Sequence, residues 1–205
     1  MRIKNFFDKT TNFLLNRISE LIGLTLLCSS ILLLISLISY SPEDPNFIFP
    51  DNAEIKNILG IRGSYISDIF YQSIGLISLL IPISFFFISL KTIIDKKISQ
   101  ILECSFFIIL YSILGTLFFT VFHTNAYWLT INGNNGFVGN LFEETFLINL
   151  INFNHKISYT ILIILIISVF LLSIKFKLKY LKIILAIFSK AKKESPKSLA
   201  GDFKE

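Results

Sequence analysis

The stretch that decides the fold is LIGLTLLCSSILLLISLISY, residues 21–40, which contains no aspartate, glutamate, lysine or arginine. Three later runs share this property: Ile69–Leu90, Cys104–Phe122 and Ile157–Ile174. Each run approaches the ~20 residues with which an α-helix crosses a hydrocarbon layer. In lipid a helix satisfies its own backbone hydrogen bonds, as an irregular segment cannot. The sequence therefore predicts an all-α integral membrane protein with four transmembrane helices.

The composition agrees with a membrane domain. Of the 205 residues, 53% are hydrophobic and 16% are charged, whereas soluble domains carry about 25% charged residues. Working outward from the four runs, we predict three segments. Residues 1–20 form a cytoplasmic amphipathic segment, residues 21–174 form the four-helix domain with outer loops 41–68 and 123–156, and residues 175–205 form a basic juxtamembrane segment that begins a cytoplasmic linker. Short amphipathic helices are expected in both flanks.

The basic residues are distributed unevenly between the two sides of the predicted membrane domain. Four lysines and arginines precede the first run, three lie between the second and third runs, and nine follow the fourth. The opposite side holds only Lys56, Arg62 and Lys156. The positive-inside rule then predicts that both termini are cytoplasmic. We interpret the net charge of +5 as a determinant of topology and of contacts with anionic lipid, rather than as a DNA-binding surface.

The sequence offers no pattern typical of an enzyme. It has no glycine-rich loop with a phosphate-binding lysine, no H-E-x-x-H and no G-x-S-x-G. The two histidines, His123 and His155, fall short of the three or four ligands of a zinc site. We interpret Cys28 and Cys104, inside or at the edge of apolar runs, as packing residues. We therefore expect no catalytic residues, no bound cofactor and no metal.

The outer loops carry the most specific local patterns. Gly60, Gly63, Ser64 and Ser67 have the spacing of one helix face, which predicts close approach of another helix. An ordinary turn, followed by a helix that Ser64 or Ser67 caps, remains an equal alternative. We expect Asp68 at the outer head-group level. In the second run Gly75 and Pro82 are expected to interrupt the helix, with a kink at Pro82. Gly133, Gly136 and Gly139 in the second outer loop are expected to adopt positive φ.

These patterns occur together in an order that resembles a known family. The order is Leu37-Ile-Ser-Tyr40-Ser-Pro42-Glu-Asp44-Pro45-Asn-Phe47, then Asn57-x-x-Gly60-x-x-Gly63-Ser-Tyr-x-Ser67-Asp68, then Phe70-x-x-Ser-x-Gly75-Leu-x-Ser-x-x-x-Pro82, and finally Gly136-Phe-Val-Gly139. It is similar to the four-span membrane domain of bacterial FtsK/SpoIIIE-type DNA translocases, over roughly residues 18 to 175. The sequence departs from the family pattern at Asn135, where a second glycine is usual.

The resemblance implies a role in cell division and chromosome segregation. It implies that this domain anchors a translocase in the bacterial inner membrane at the division septum, self-associates, and contacts membrane proteins of the divisome. The outer-loop residues with which it would make those contacts are Pro42, Asp44, Pro45, Asp68, Gly136 and Gly139. DNA and ATP would be bound only by a motor that these residues do not contain. A small multi-span transporter and a membrane assembly or signalling subunit remain alternatives.

Overall fold

The computed structural model describes residues 2–45, 54–123, 129 and 131–176, without the side chains of residues 2–8, 150 and 152. The amphipathic helix and linker predicted after residue 176 lie outside the described residues. The described residues form helices and loops, without strands. In chain order the helices are α1 (Arg2–Ile38), α2 (Gly60–Ile74), a 3-10 helix (Gly75–Leu79), α3 (Leu80–Asp95), α4 (Ser99–Phe122), α5 (Gly136–Asn140), α6 (Phe146–Asn152) and α7 (His155–Ser173).

Four stretches of these helices are long and apolar enough to cross a membrane, which confirms the prediction of an all-α protein with four spans. They are Lys9–Ile38, Gly60–Asp95, Ser99–Phe122 and His155–Ser173. Because the number of spans is even, the first and the last span have their free ends on the same side of the bilayer.

We predict a separate amphipathic helix in residues 1–20, but the described residues of this segment are part of α1. Helix α1 runs without interruption over 37 residues, or roughly 55 Å, well beyond the ~30 Å of a hydrocarbon layer. The reason is local, because no glycine or proline occurs between Arg2 and Ile22 to break the helix.

Helices α1 and α3 form an antiparallel pair. At one end, which we call the turn end, Lys96 lies 2.8 Å from the Glu20 carboxylate. One turn further along, Gly23 lies against Ile93 and Ser89 of α3. At the opposite end, which we call the loop end, Leu37 of α1 packs in a cluster with Leu76 and Leu79. The pair therefore extends from Glu20 to Leu37 in α1.

Helices α4 and α7 form the second pair and pack against α3 near the turn end. A short turn joins α3 to α4, and Lys96 in this turn adopts a left-handed conformation with φ 56°. Three buried hydroxyls connect the helices across the core: Ser84 Oγ lies 3.1 Å from Tyr111 Oη and 2.8 Å from Ser173 Oγ. Each helix thus satisfies a polar group of its neighbour inside the apolar core.

Helix α2 does not run antiparallel to α1, although it belongs to the same apolar stretch as α3. Gly63 accepts a hydrogen bond from Ser36, and two turns later Tyr71 donates to the carbonyl of Leu37. Two turns of α2 advance about 11 Å, whereas the contacted position on α1 moves by one residue. Helix α2 therefore crosses the end of α1.

The second apolar run, Ile69–Leu90, changes direction at Gly75, whose φ is 69°. Residues 69–74 belong to α2, and the rest of the run belongs to the 3-10 helix and α3. The 3-10 helix and α3 add up to roughly 34 Å, enough to cross the bilayer. Pro82, where a kink was predicted, lies in the first turn of α3 directly after the 3-10 helix. In that turn a backbone N–H has no intrahelical partner to lose.

Candidate functional site at the loop end

The first outer loop is attached to α2 through Asp44. The Asp44 carboxylate is 1% exposed, and it accepts hydrogen bonds from the backbone N–H groups of Lys56 and Asn57, both at 2.8 Å. Next to it, Ser64 Oγ of α2 donates to the carbonyl of Pro45 at 2.6 Å. Hydrogen bonds to a carboxylate are stronger than those between neutral groups. Asp44 therefore ties the start of the first outer loop to Lys56 and Asn57 near its end.

The side chain of Asn57 fills the crossing of α1 and α2. Its amide nitrogen donates to the carbonyl of Ser36 at 2.9 Å, and its amide oxygen accepts from the N–H of Leu59 at 3.1 Å. In return, Ser36 Oγ donates to the carbonyl of Gly63 at 2.6 Å. A Cβ on Gly63 would lie 2.2 Å from the Asn57 amide oxygen. A side chain at position 63 would therefore displace Asn57 from the crossing.

A chain of hydrogen bonds connects the first outer loop with the second. Tyr40 Oη donates to Asp68 at 3.2 Å, and Gln72 Nε2 donates to the same carboxylate oxygen at 3.3 Å. Asn132, in the second outer loop, donates to the Gln72 side-chain oxygen at 3.0 Å. The rings of Tyr40 and Tyr71 also contact each other, with their centroids 4.9 Å apart. The described parts of the two loops are thus linked through side-chain hydrogen bonds.

The second outer loop meets the membrane bundle at a backbone crossing of glycines. Leu76 N–H donates to the carbonyl of Asn134 at 3.0 Å. A Cβ on Gly75 would lie 1.9 Å from that carbonyl oxygen, and a Cβ on Gly136 would lie 2.5 Å from the nitrogen of Gly75. Both glycines also have positive φ, 69° and 66°, which a side chain disfavours. The crossing therefore requires glycine on both segments of the chain.

The candidate contact residues chosen from the sequence lie mostly in this assembly. The buried ones are Asp44, Pro45, Gly63, Ser64, Ser67, Asp68, Gly136 and Gly139. Pro42 is half-buried, and Gly60 has open space where a Cβ would be. Gly60 instead starts α2 with φ 66°. The structure thus places the small residues against this chain's own α1 and first outer loop.

Two finer expectations are wrong, and one stays a prediction. Ser64 and Ser67 do not cap α2, because they lie inside it and Leu59 precedes its first residue. Asp68 is buried and bonded to Tyr40, and its position at the outer head-group level stays a prediction. Gly139 lies within α5 without positive φ, and Thr120 Oγ1 donates to its carbonyl at 3.0 Å. In each case the residue is held by a neighbour elsewhere in the fold.

The sequence analysis missed several residues that complete the network. Ser36, Asn57, Gln72 and Asn132 carry its hydrogen bonds, and Gly23 lies at the α1–α3 contact. All five have a small or amide side chain: Gly23, Ser36 and Gln72 lie inside apolar runs, and Asn57 and Asn132 lie in the outer loops. Such residues find partners only when the loops fold back, and the sequence alone does not show that contact.

The outer surface of the network carries an ion pair between Lys56 and Glu43. The hydrogen bond to Lys56 lowers the pKa of the Glu43 carboxyl, and the same hydrogen bond raises the pKa of the Lys56 ammonium. Both side chains are exposed, so the pair adds little stability. No group of three or more metal-binding side chains occurs among the described residues. The hydrogen bonds of the network can keep the loops in one shape at the surface of the protein.

The comparison with protein families decides what this arrangement belongs to. The family model for the 4TM region of DNA translocase FtsK/SpoIIIE matches residues 16–187, most of the chain. The chain belongs to this family. The residues that carry the resemblance to the FtsK/SpoIIIE family, including Asp44, Gly63 and Gly136, are those that the loop-end network joins.

Curated relatives of the FtsK/SpoIIIE family match over a shorter stretch. The DNA translocase FtsK of Rickettsia bellii (strain RML369-C) is 44% identical over 50 residues, which is 24% of this chain and 7% of that relative. Those of Rickettsia typhi (strain ATCC VR-144 / Wilmington) and Rickettsia prowazekii (strain Madrid E) are 41% identical over 54 residues, 26% of this chain and 7% of each relative. No solved structure matches the chain significantly.

Proposed function

We propose that this chain anchors a DNA translocase in the bacterial inner membrane and directs it to the division septum. The observation that carries the proposal is the match to the 4TM region of DNA translocase FtsK/SpoIIIE over residues 16–187. The motor activity that the relatives' name describes is assigned to parts of such proteins outside this region. The chain's own residues then supply membrane residence, self-association and contacts with divisome membrane proteins.

The loop-end network supports a recognition role for the outer loops. A surface that a partner protein recognises has to keep one shape, because ordering a flexible loop on binding costs free energy. Here Asp44, Asn57 and the glycine crossing hold both loops through hydrogen bonds and close backbone contacts. The buried motif residues give the loops their shape, and exposed residues elsewhere on the loops would meet a partner.

The charge distribution supports a cytoplasmic position for the turn end and the termini. The turn end carries Arg17, Lys96 and Lys97, and the residues after the fourth apolar run carry nine lysines. The positive-inside rule places such segments in the cytoplasm. A translocase motor attached after the last span would then reach the chromosome, and the loop end would face the periplasm.

The proposal is tested by the position of a fluorescent fusion of residues 1–205 in dividing cells. Because we assign septal recognition to this domain alone, the fusion is expected to collect at midcell during constriction without any motor attached. A fusion that spreads evenly around the envelope, in cells whose other division proteins localise normally, would contradict septal targeting and leave only a membrane anchor.

Two neighbouring acidic residues give this experiment a matched pair of variants. Asp44→Ala removes the acceptor of two backbone hydrogen bonds, and we expect it to reduce the midcell signal while membrane insertion persists. Glu43→Ala removes only an exposed ion-pair partner, and its signal is expected to remain. Equal loss, or equal retention, in the two variants would show that the shape of the first outer loop is unimportant for targeting.

A further inference from the structure

Helix α6 has one face packed against the membrane bundle. Its Ile148 and Ile151 lie in a cluster with Leu117 and Phe118 of α4. The helix is only seven residues long, roughly 10 Å, and so it cannot cross a bilayer. It connects the second outer loop to the last span, beginning directly after Thr145 and ending shortly before His155.

The opposite face of α6 carries two phenylalanines that the described residues leave uncovered. Phe146 is 74% exposed, and Phe153 at the end of the helix is 94% exposed. Residues seven apart lie on the same face of an α-helix, so the two rings point away from the bundle together. A phenylalanine that is almost fully exposed to water loses the stabilisation that burial of its ring would give. Two such residues on one face therefore indicate a surface that something apolar covers.

A polar residue marks the edge of this face. Asn149 is exposed as well, and it lies between Phe146 and Phe153 in sequence. With 3.6 residues per turn, its position is rotated by roughly 40–60° from the two phenylalanines. The cover over the phenylalanines must therefore leave the adjacent amide in contact with hydrogen-bonding groups, as a purely apolar protein pocket would not.

The depth of α6 identifies what covers it. Leu117 and Phe118 lie five and four residues before Phe122, the last residue of α4, or roughly 6–8 Å from the loop end of that helix. Helix α6 also ends at Asn152, three residues before His155, where the last span begins. Helix α6 therefore lies near the ends of two spans, at the level where hydrocarbon meets head groups. Acyl chains and hydrogen-bonding head groups are both within reach at this level.

An exposed apolar row on α7 begins close to α6. It consists of Ile157, Ile161 and Ile164, which are 56%, 50% and 57% exposed on a helix that is long and apolar enough to cross the membrane. Phe153 precedes α7 by two residues, so a bilayer that covers this row ends near Phe153.

The charged residues near α6 lie at its two approaches. Glu143 and Glu144 precede the helix and Lys156 follows it, and all three are exposed. A short helix with an apolar face, bounded by polar and charged residues at head-group level, is typical of segments that lie in the membrane interface.

We propose that α6 lies in the interface of the loop-end leaflet, with Phe146 and Phe153 inserted among the lipid chains and Asn149 at the head groups. The second outer loop is then held at two places, on the bundle by the glycine crossing and on the bilayer by α6. Phenylalanine at this depth gains by leaving water, and the flanking charges stay among the head groups. This goes beyond septal targeting, and it holds whichever protein meets the outer loops.

A tryptophan placed on this face reports its surroundings directly. The chain has one tryptophan, Trp128, so Trp128→Phe gives a silent background into which Phe153→Trp is introduced. The full chain is reconstituted into phosphatidylcholine vesicles whose acyl chains carry bromine either near the head group or deep in the layer. Glu144→Trp in the same background is the matched control, because position 144 precedes α6 and belongs to its charged approach.

The new tryptophan at position 153 is expected to emit at a blue-shifted wavelength and to lose emission most strongly with bromine near the head group. At position 144 the emission is expected to remain red-shifted and to lose little. Phe146→Trp repeats the measurement at the other end of the face, where the same blue shift and quenching are expected.

Two results would overturn the proposal. Red-shifted emission at position 153 without bromine quenching would place α6 in water. Blue-shifted emission that bromine leaves unchanged would place a second copy or another protein on this face instead of lipid.

Discussion

At the scale of single residues, the structure of the loop end depends on glycines without side chains as much as on hydrogen-bonding residues. Asp44 and Asn57 supply acceptors and donors at the right distance, but they reach their partners only because Gly63, Gly75 and Gly136 leave space. A buried acceptor without its donor costs about 1–3 kcal/mol. Crowding a glycine position therefore also costs the hydrogen bonds that surround it.

Alanine substitutions at two glycines with nearly the same φ can distinguish the cost of backbone strain from the cost of a steric clash. Gly60 and Gly75 have φ of 66° and 69°, so alanine at either position should cost about 1–2 kcal/mol through the positive φ. At position 60 the added Cβ meets nothing, whereas at position 75 it meets the Asn134 carbonyl. We expect Gly75→Ala to destabilise the protein by roughly a further 1–3 kcal/mol.

The difference can be measured as thermal unfolding in detergent with a thiol-reactive dye. Cys104 is buried and Cys28 is exposed, so a Cys28→Ser background leaves one thiol that reacts only when the bundle opens. The unfolding temperature should decrease slightly for Gly60→Ala and much more for Gly75→Ala. Equal decreases in the two variants would contradict the crowded crossing at Gly75.

The sequence identified the glycines and Asp44 as unusual, but it could not tell what they contact. Gly63 was expected to admit another helix, and the atom nearest its missing Cβ belongs to Asn57, six residues earlier in the same chain. Spacing along a helix shows which residues share a face. The partner of that face depends on how the first outer loop returns, which a single sequence does not record.

At the scale of helices, the spans followed from hydropathy because the hydrocarbon layer imposes a length on them. The sequence predicted an interruption of the second run at Gly75, but hydropathy did not predict the change of direction there, since residues 69–74 of α2 carry no charge and join the same apolar run. The change of direction depends on the φ of Gly75 and on the crossing with the second outer loop. Apolar character reveals residence in lipid, and it does not reveal direction.

The contact between α1 and α3 is a seam of small residues. Ser19, Gly23 and Ser30 on α1 lie on the side where α3 presents Ser89 and Thr92, and the four hydroxyl residues are at most 3% exposed. Close approach of backbones is a main source of helix association in lipid, where apolar side chains gain nothing by leaving the solvent. The seam therefore sets the distance between the two helices.

A leucine at position 23 should force α1 away from α3. The Cβ of any residue there would lie 2.6 Å from Ile93 Cγ1 and 3.2 Å from the Ser89 carbonyl. We expect Gly23→Leu to cost about 1–3 kcal/mol, read as earlier labelling of Cys104 on heating. Leu24→Ala is the control, because Leu24 is exposed on the same helix. A Gly23→Leu variant as stable as the parent would show that α1 tolerates a wider separation.

At the scale of the whole molecule, the two ends of the bundle serve different purposes. The turn end is short and basic, with Lys96 paired to Glu20, whereas the loop end holds most of the long-range polar contacts described above. The family model matches residues 16–187, which include both the bundle and its loops. A recognition role then requires that the loop end faces outward, which depends on the orientation of the chain.

The orientation can be tested with reporter fusions, and it is the prediction on which the proposed function depends most. Sixteen of the nineteen lysines and arginines lie before the first run, between the second and third, or after the fourth. Moving them across the membrane would be costly, because charged side chains insert poorly into lipid. Reporters fused after Asn52 and Asn135 should therefore read as periplasmic, and those after Lys97 and Lys193 as cytoplasmic. A cytoplasmic signal at Asn135 would place the glycine crossing and α6 on the inner side, where the outer loops could not meet periplasmic parts of the divisome.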